Sequence, residues 1–351
     1  MIMMDDLKIT VVVTVYNKER YIKQCLKSIF DQTDNKFKLV IIDDGSTDKS
    51  YSICKKYCKY LDYQVISQVH GGASAARNKG IEIANTDYIL FVDGDDYILP
   101  ETIEVLNNAI NHQADLIVFG INYAGEDGSV IFKSKLSERL YNSKAAIQDN
   151  LVSLWDSNLM YSSCNKLFSV KIIRDNNVFF KNKDFGEDLT FVCDYTRYCT
   201  SIYSISKCLY TYREHSTNSQ SKKYRHDLFE IRKDEYYELI RYFFDMSCLN
   251  NDSLEFISRR YIERIIGCIE NEASLRNRQN LFLRFKRSKA IVEDKTVQEC
   301  VKSACFRSRK MKTLSWFIYN DLPYTLFVLG MAISVVKNGF PKLFIILKMH
   351  R

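Results

Sequence analysis

Between Lys8 and Tyr123 the chain alternates short β-branched runs with amphipathic stretches, and this alternation limits the fold more than any other feature. Lys8–Val15 (KITVVVTV), Leu39–Ile42, Tyr63–Ser67, Tyr88–Val92 and Leu116–Tyr123 read as strands. Between them Lys18–Phe30, Lys49–Tyr60, Ser74–Ile83 and Pro100–Asn111 read as helices. The first carries Ile22, Leu26 and Ile29 on one face, and the last has proline near its first turn. Strands that alternate with helices predict an α/β fold: an open, mostly parallel central sheet covered on both sides. Ligands of such sheets bind beyond the carboxyl ends of the strands. The polar motifs fall at those ends: Thr14-Val15-Tyr16-Asn17, Asp43–Ser46 and Asp93–Asp96. One shared site is expected.

Asp93, Asp95 and Asp96 surround Gly94 just after the fourth strand (FVDGDDYILP). Carboxylates gathered this closely repel one another, and a hard divalent cation carrying a phosphorylated ligand relieves the cost. Asp43-Asp44-Gly45-Ser46-Thr47-Asp48 ends a strand and opens a helix. A capping turn needs one acid; two adjacent acids suggest a carboxylate that reads a ligand donor, such as a pyrimidine ring NH. His70-Gly71-Gly72-Ala73-Ser74-Ala75-Ala76-Arg77-Asn78 places paired glycines before a helix, with Arg77 as a fork suited to phosphate oxygens. An ordinary turn with a surface arginine fits that motif as well. In Phe185-Gly186-Glu187-Asp188-Leu189-Thr190-Phe191 an acid pair precedes the helix Leu189–Tyr198. It reads either as dipole compensation or as a general base desolvated by the flanking phenylalanines. The histidines at 70, 112, 215, 226 and 350 have no metal-ligand spacing; His215 reads as a solvated loop residue or one that closes over the site.

With 351 residues and 46% hydrophobic content the chain buries a sizeable core, and 12 Gly with 3 Pro exclude a fibrous or disordered class. The opening MIMMDDLKITVVV lacks a secretion-signal pattern, and the 11 cysteines form no Cys-x-x-Cys pair. Reduced thiols in a cytoplasmic protein are expected. Residues 1–206 hold 23 Lys/Arg against 27 Asp/Glu, whereas 207–351 hold 27 against 16. The shift predicts two parts, residues 1–215 and a basic, mostly helical 216–351. Helices are expected there over Tyr224–Asp245, Ser253–Leu275, Gln279–Ala290 and Thr296–Arg307.

The segments TVVVTVYNKERYIKQCLKSIFDQT, LVIIDDGSTDKS, GGASAARNKGIEIA, YILFVDGDDYILP and FGEDLTF, in this order and spacing, resemble the bacterial family-two glycosyltransferases. The likeness is dense over Lys8–Pro100, thinner to Tyr212 and faint beyond. It implies a single nucleotide-diphospho-sugar transferase domain (GT-A fold, Rossmann-like in layout) that inverts the anomeric carbon. It implies Thr14 and Tyr16 beside the nucleobase, Asp44 on the uracil, and Arg77 by the base or diphosphate. Asp93 would lie on the ribose and sugar side, Asp95 would ligate Mg²⁺ or Mn²⁺, and Asp188 would be the catalytic base. The sequence departs from the pattern at Ser162–Phe168, where relatives often carry tryptophan near Cys164; in the family this region faces the acceptor.

The expected partners are a nucleotide-sugar donor, most simply a UDP-sugar, and a glycan or lipid-linked glycan acceptor in surface polysaccharide synthesis. The apolar segment 313–336 is interrupted by Asp321 and flanked by basic residues. Its uncharged stretch Leu322–Val336 is shorter than the roughly 20 residues a spanning helix needs. Peripheral contact of 307–351 with the inner face of the cell membrane is one reading; a pair of helices completing the protein's own core is the other. No nucleic-acid motif accompanies the positive charge. A non-catalytic nucleotide-sugar-binding scaffold is the main rival function. A nucleotidyltransferase is disfavoured because Thr14–Tyr21 contains no glycine.

Overall fold

The computed structural model describes residues 7–57, 63–183, 185–214 and 224–339, with side chains through Val335 in the last helix. His215 and the basic residues Lys342, Lys348 and Arg351 lie outside the described residues. The chain divides into two compact units, Met1–Ser216 and Thr217–Arg351.

The first unit runs β1 (Ile9–Val15), α1 (Ile22–Phe30), β2 (Lys38–Asp43), α2 (Ser50–Tyr57), β3 (Gln64–Ser67), α3 (Gly72–Ile83), β4 (Tyr88–Asp93), β5 (Tyr97–Ile98) and α4 (Thr102–Ala109). It continues with β6 (Leu116–Ala124), β7 (Val130–Ser134), β8 (Arg139–Tyr141), α5 (Lys144–Asp149), α6 (Leu151–Asp156), β9 (Lys166–Ser169), α7 (Val170–Asp175), α8 (Glu187–Thr196) and β10 (Ile202–Arg213). The sheet order is β3-β2-β1-β4-β9-β6-β10-β5, with β7 on β6 and β8 on β10. The β3-β2-β1-β4 half is parallel, as is β6 with β10; β9 lies antiparallel between β4 and β6. β1 is β-branched throughout and almost wholly buried, as a strand covered on both faces must be.

Strand register places the polar ends side by side. Val15 pairs with Asp43 on one flank of β1, and Thr14 pairs with Asp93 on the other. α1 starts at Ile22, later than the amphipathic pattern from Lys18 suggests. Asn17 sits at φ 51°, and the next two amides donate outside the helix, Lys18 N to Ser50 Oγ (2.7 Å) and Glu19 N to Asp48 Oδ2 (3.0 Å). The turn before α1 is thus pinned to the one before α2.

The second unit contains α9 (Leu228–Asp245), α10 (Asn251–Glu272), α11 (Leu281–Val292), α12 (Lys295–Ser303), α13 (Arg309–Tyr319) and α14 (Pro323–Gly339). Local caps fix the starts: Asn250 and Ser253 form a capping box on α10, and Asp294 accepts from Thr296 N and Val297 N on α12. α10 supplies the centre of the core, with Ile262, Ile265 and Ile269 among Val292, Val297 and Ile318. The apolar segment 313–336 breaks at Asp321 (φ 50°) and Pro323 into α13 and α14. Leu314, Ile318 and Leu326 complete the unit's own core. Each such side chain contributes about 1.5–3 kcal/mol when fully buried. Among the described residues no helix is long and apolar enough to cross a membrane.

Candidate active site

Arg77, in the second turn of α3, organises the site. Its side chain is 4% exposed, and its two terminal nitrogens reach three carboxylates. Nη2 donates to Asp93 Oδ1 (3.0 Å), Nη1 to Glu187 Oε1 (3.1 Å), and Nη1 lies 3.2 Å from Asp188 Oδ1. Burial by itself would lower the Arg77 pKa, but Asp188 and Asp93 more than reverse this and raise it well above the ordinary value. Arg77, expected by the base or diphosphate, ties the end of β4 to the start of α8.

Neighbouring contacts explain why these elements meet. Asn78 clips the segment between α7 and α8 through a reciprocal pair, Nδ2 to Phe180 O and Phe180 N to Oδ1, both 2.8 Å. The Arg77 guanidinium lies 5.3 Å from the Phe180 ring centroid. Gly186 caps α8 at φ 80°, a conformation that side-chain-bearing residues rarely adopt, and this turns Glu187 and Asp188 inward. Phe191 stacks on Phe180 at 3.8 Å in the core. It therefore anchors the helix rather than covering the carboxylate, as the sequence had suggested. Burial, with Asp188 adding to it, raises the Glu187 pKa, against the pull of Arg77.

Asp188 Oδ1 also accepts from Ser163 Oγ (2.8 Å). Ser163 lies in the loop just before β9, and beneath that loop Lys166 is fully buried. Lys166 Nζ donates to Ser162 O (2.5 Å), to Asn165 Oδ1 (3.0 Å) and to Leu159 O. Burial pulls the Lys166 pKa down to about 7, with Asp188 pulling the other way. The sequence reading passed over Ser163 and Lys166 as roles. The available signal was a lysine set inside an otherwise buried strand pattern, Cys164-Asn165-Lys166-Leu167-Phe168.

The β4–β5 turn divides its three aspartates among separate tasks. Asp93 Oδ1 accepts from Thr14 Oγ1 (3.2 Å) as well as from Arg77. Asp96 is buried, holding Tyr210 Oη (2.6 Å) and the Arg213 amide (2.8 Å). Burial, reinforced by Asp95 and Asp93, pushes the Asp96 pKa well up. Asp95 forms an ion pair with Lys18. Burial alone would lower Lys18, but the Asp95 partnership raises it overall. Gly94 allows this turn to sit on β1: a Cβ there would lie 3.0 Å from Thr14 O.

The β2 end forms a second cluster. Tyr16 stacks on His70, ring centroids 3.9 Å apart. His70 Nδ1 lies 2.7 Å from Asp44 Oδ2. Asp44 also accepts from Gly72 N (2.8 Å), Gly71 N (3.0 Å) and Gln68 Nε2 (2.7 Å), so its carboxylate is occupied in shaping the glycine turn. Asp43 differs. Its Oδ2 takes Ser46 N and Ser67 Oγ, while the buried Oδ1 has no hydrogen-bond partner. Thr14, Asp93, Arg77 and Asp188 thus form one connected group, Tyr16 and Asp44 a second across the tip of β1, and Asp95 faces Lys18.

Strand-end carboxylates meeting a helix-borne acid, on a sheet of this order, define a nucleotide-sugar-transferase type of architecture. The model of the family described as glycosyl transferase family 2 matches residues 10–176. GlyG of Streptococcus pneumoniae, a glycosyltransferase, is 31% identical over 217 residues, covering 59% of this chain and 71% of GlyG. The putative glycosyltransferase EpsH of Bacillus subtilis is 27% identical over 330 residues, covering 92% and 94%. In three dimensions the crystal structure of Staphylococcus aureus TarS residues 1–349 in complex with UDP-GlcNAc aligns with TM-score 0.65 and 21% identity, covering 95% of this chain and 92% of that one. The chain belongs to glycosyl transferase family 2 and is a glycosyltransferase with a GT-A fold.

Proposed function

We propose that this enzyme moves a sugar from a UDP-sugar to a hydroxyl of a glycan or lipid-linked glycan acceptor, with inversion, in surface polysaccharide synthesis at the cytoplasmic face of the membrane. The observation that carries this reading is the single guanidinium of Arg77, which holds the sugar-side Asp93 and the acid of α8, Asp188, in one group. The uridine preference draws on TarS, whose structure was solved with UDP-GlcNAc. Tyr16 and His70 offer a stacked aromatic platform for the base. Asp43 Oδ1, a shielded acceptor without a partner, is the atom that takes the uracil ring NH, while Asp44 holds the turn that borders it.

Among the described residues no group of three or more metal-binding side chains occurs. These residues offer no protein-only metal cage, but Mg²⁺ or Mn²⁺ commonly binds through one or two carboxylates plus substrate phosphates. Asp95 suits that mode: its protein partner Lys18 is a partly exposed, flexible side chain that a metal would displace, whereas Asp93 and Asp96 are held by the buried Arg77 and Tyr210. A metal held by Asp95 would supply positive charge against the departing diphosphate. Lys18, released from Asp95, would add to that charge.

In the reaction Asp188 takes the proton from the acceptor hydroxyl. The acceptor oxygen forms the new bond to the anomeric carbon from the face opposite the diphosphate. The old carbon–oxygen bond breaks, its electron pair leaves with UDP, and the configuration inverts. Ser163 and Arg77 hold Asp188 in the orientation that accepts the proton. The test is release of UDP from a panel of UDP-sugars by the native chain and by Asp188→Asn. Release that falls by about 10²–10⁴ in the variant supports a general base. Equal, negligible release from both would favour a non-catalytic scaffold.

A further inference from the structure

We propose that the start of α11 and the outer stripe of α14 form one surface that lies on an anionic lipid bilayer. α14 is apolar on both sides. Leu326 and Phe327 face inward, whereas Tyr324 (69% exposed), Val328 and Val335 form an outward stripe at helical spacing. Contacts with the preceding segment run in reverse order along α14. The Leu275 amide donates to Ser334 Oγ (3.1 Å), Arg284 lies over the Phe327 ring (5.8 Å), and the Phe285 ring lies 6.0 Å from Tyr324. The antiparallel course brings the first turn of α11 alongside the middle of the stripe. That turn is Leu281-Phe282-Leu283, all exposed, with Phe282 at 71%.

Charge selects the occupant. Residues 273–292 contain six Lys/Arg and no acid. Arg284 is buried on the carbonyls of Glu272 and Ser274, and the other five, including Arg276, Arg278 and Lys286, are exposed. A second copy pairing symmetrically through this face would set cations against cations. Exposed aromatic and aliphatic side chains among cations instead match the boundary of an anionic bilayer, where the rings enter and the cations remain at the headgroups. The 17 residues of α14 amount to about 26 Å at the helical rise, short of the roughly 30 Å hydrocarbon core, so the helix lies on the membrane rather than across it.

This surface rests on the reading of a membrane-side acceptor and extends the contact expected for 307–351 to a segment nearly thirty residues earlier. The test is sedimentation of the full chain with vesicles of equal phosphatidylglycerol and phosphatidylcholine, or of phosphatidylcholine alone. The native chain is expected to sediment with the anionic vesicles only. Leu281→Ser with Phe282→Ser, and separately Tyr324→Ser with Val328→Ser, are each expected to weaken binding about tenfold or more. UDP release from the soluble donor remains unchanged in both variants, which shows that they are folded. Absence of vesicle binding, or binding indifferent to the 281/282 pair, overturns the proposal. So does a native dimer in sedimentation velocity that both variants disrupt. Vesicle binding is measured without donor, so its failure leaves the transferase reading intact, and the reverse also holds.

Discussion

Arg77 Nη1 lies 3.2 Å from Asp188 Oδ1 inside the protein, while Nη2 of the same guanidinium holds Asp93 at 3.0 Å. A residue from the third helix thereby sets the spacing between the end of β4 and the start of α8. Lysine is a single point charge and cannot span both. Arg77→Lys is expected to lower kcat by about 10²-fold, with a smaller change in UDP affinity. Removing the charge with Arg77→Met leaves three partly buried carboxylates without their partner and is expected to cost about 1–3 kcal/mol of stability, read by urea unfolding. A fall in UDP affinity with kcat unchanged would return Arg77 to direct donor binding.

Ser163 touches Asp188 through one hydrogen bond to a charged acceptor. Such a bond is worth about 1.5–3 kcal/mol, so Ser163→Ala should reduce kcat by roughly ten- to a hundredfold with KM for the donor little changed. Ser163→Thr, which keeps the hydroxyl, should recover much of the loss. Steady-state kinetics on the three proteins checks this.

Lys166 provides the pH dependence. Its pKa in the folded chain is drawn to about 7 from 10.5, so between these values the unfolded chain binds the proton and the folded chain does not. Its contribution therefore makes stability rise with pH from about 7 to about 10.5, and the penalty is fully present below the folded value. Lys166→Met should flatten that part of the profile, measured by denaturant unfolding across the range. An unchanged slope would mean that the carbonyls around Nζ keep the ammonium charged throughout.

Asp43 and Asp44 should separate in their effects. Asp43→Asn is expected to weaken UDP binding by about tenfold or more, because the carboxylate proposed to take the ring NH loses its charge. Asp44→Ala frees His70 and the Gly71 and Gly72 amides, and should lower thermal stability as well as UDP affinity. Calorimetric titration of UDP, paired with thermal melts, distinguishes the two.

The β3-β2-β1-β4 half was legible because apolar runs there alternate with amphipathic stretches, and the runs that become β1, β2 and β4 are nearly wholly buried and end in polar clusters. The antiparallel β9 was not. Lys166-Leu167-Phe168-Ser169 is four residues long, with a lysine whose burial depends on carbonyls from its own loop. The strand-end acids announced a site, yet adjacent acids could not be told apart from sequence. The φ-positive turn at Gly72 directs its amide onto Asp44, whereas the buried Oδ1 of Asp43 has no partner, and nothing in the sequence separates the two acids in this way. Arg77 looked exposed for a similar reason: nothing in Ala75-Ala76-Arg77-Asn78 reveals that Phe180 and Glu187, over a hundred positions later, close over it.

The central claim is that Asp95 and the strand-end carboxylates form one metal-assisted site for a UDP-sugar. The most direct measurement is thermal stabilisation by a panel of UDP-sugars, with and without Mn²⁺, in the native chain and in Asp95→Ala. A ligand at a hundredfold excess over its Kd stabilises the native state by about 2.7 kcal/mol, ample for detection. One UDP-sugar is expected to stand out, Mn²⁺ to enlarge its shift, and Asp95→Ala to remove the Mn²⁺-dependent part. An undiminished Mn²⁺-dependent shift in Asp95→Ala, or no stabilisation of the native chain by any UDP-sugar, would contradict the claim.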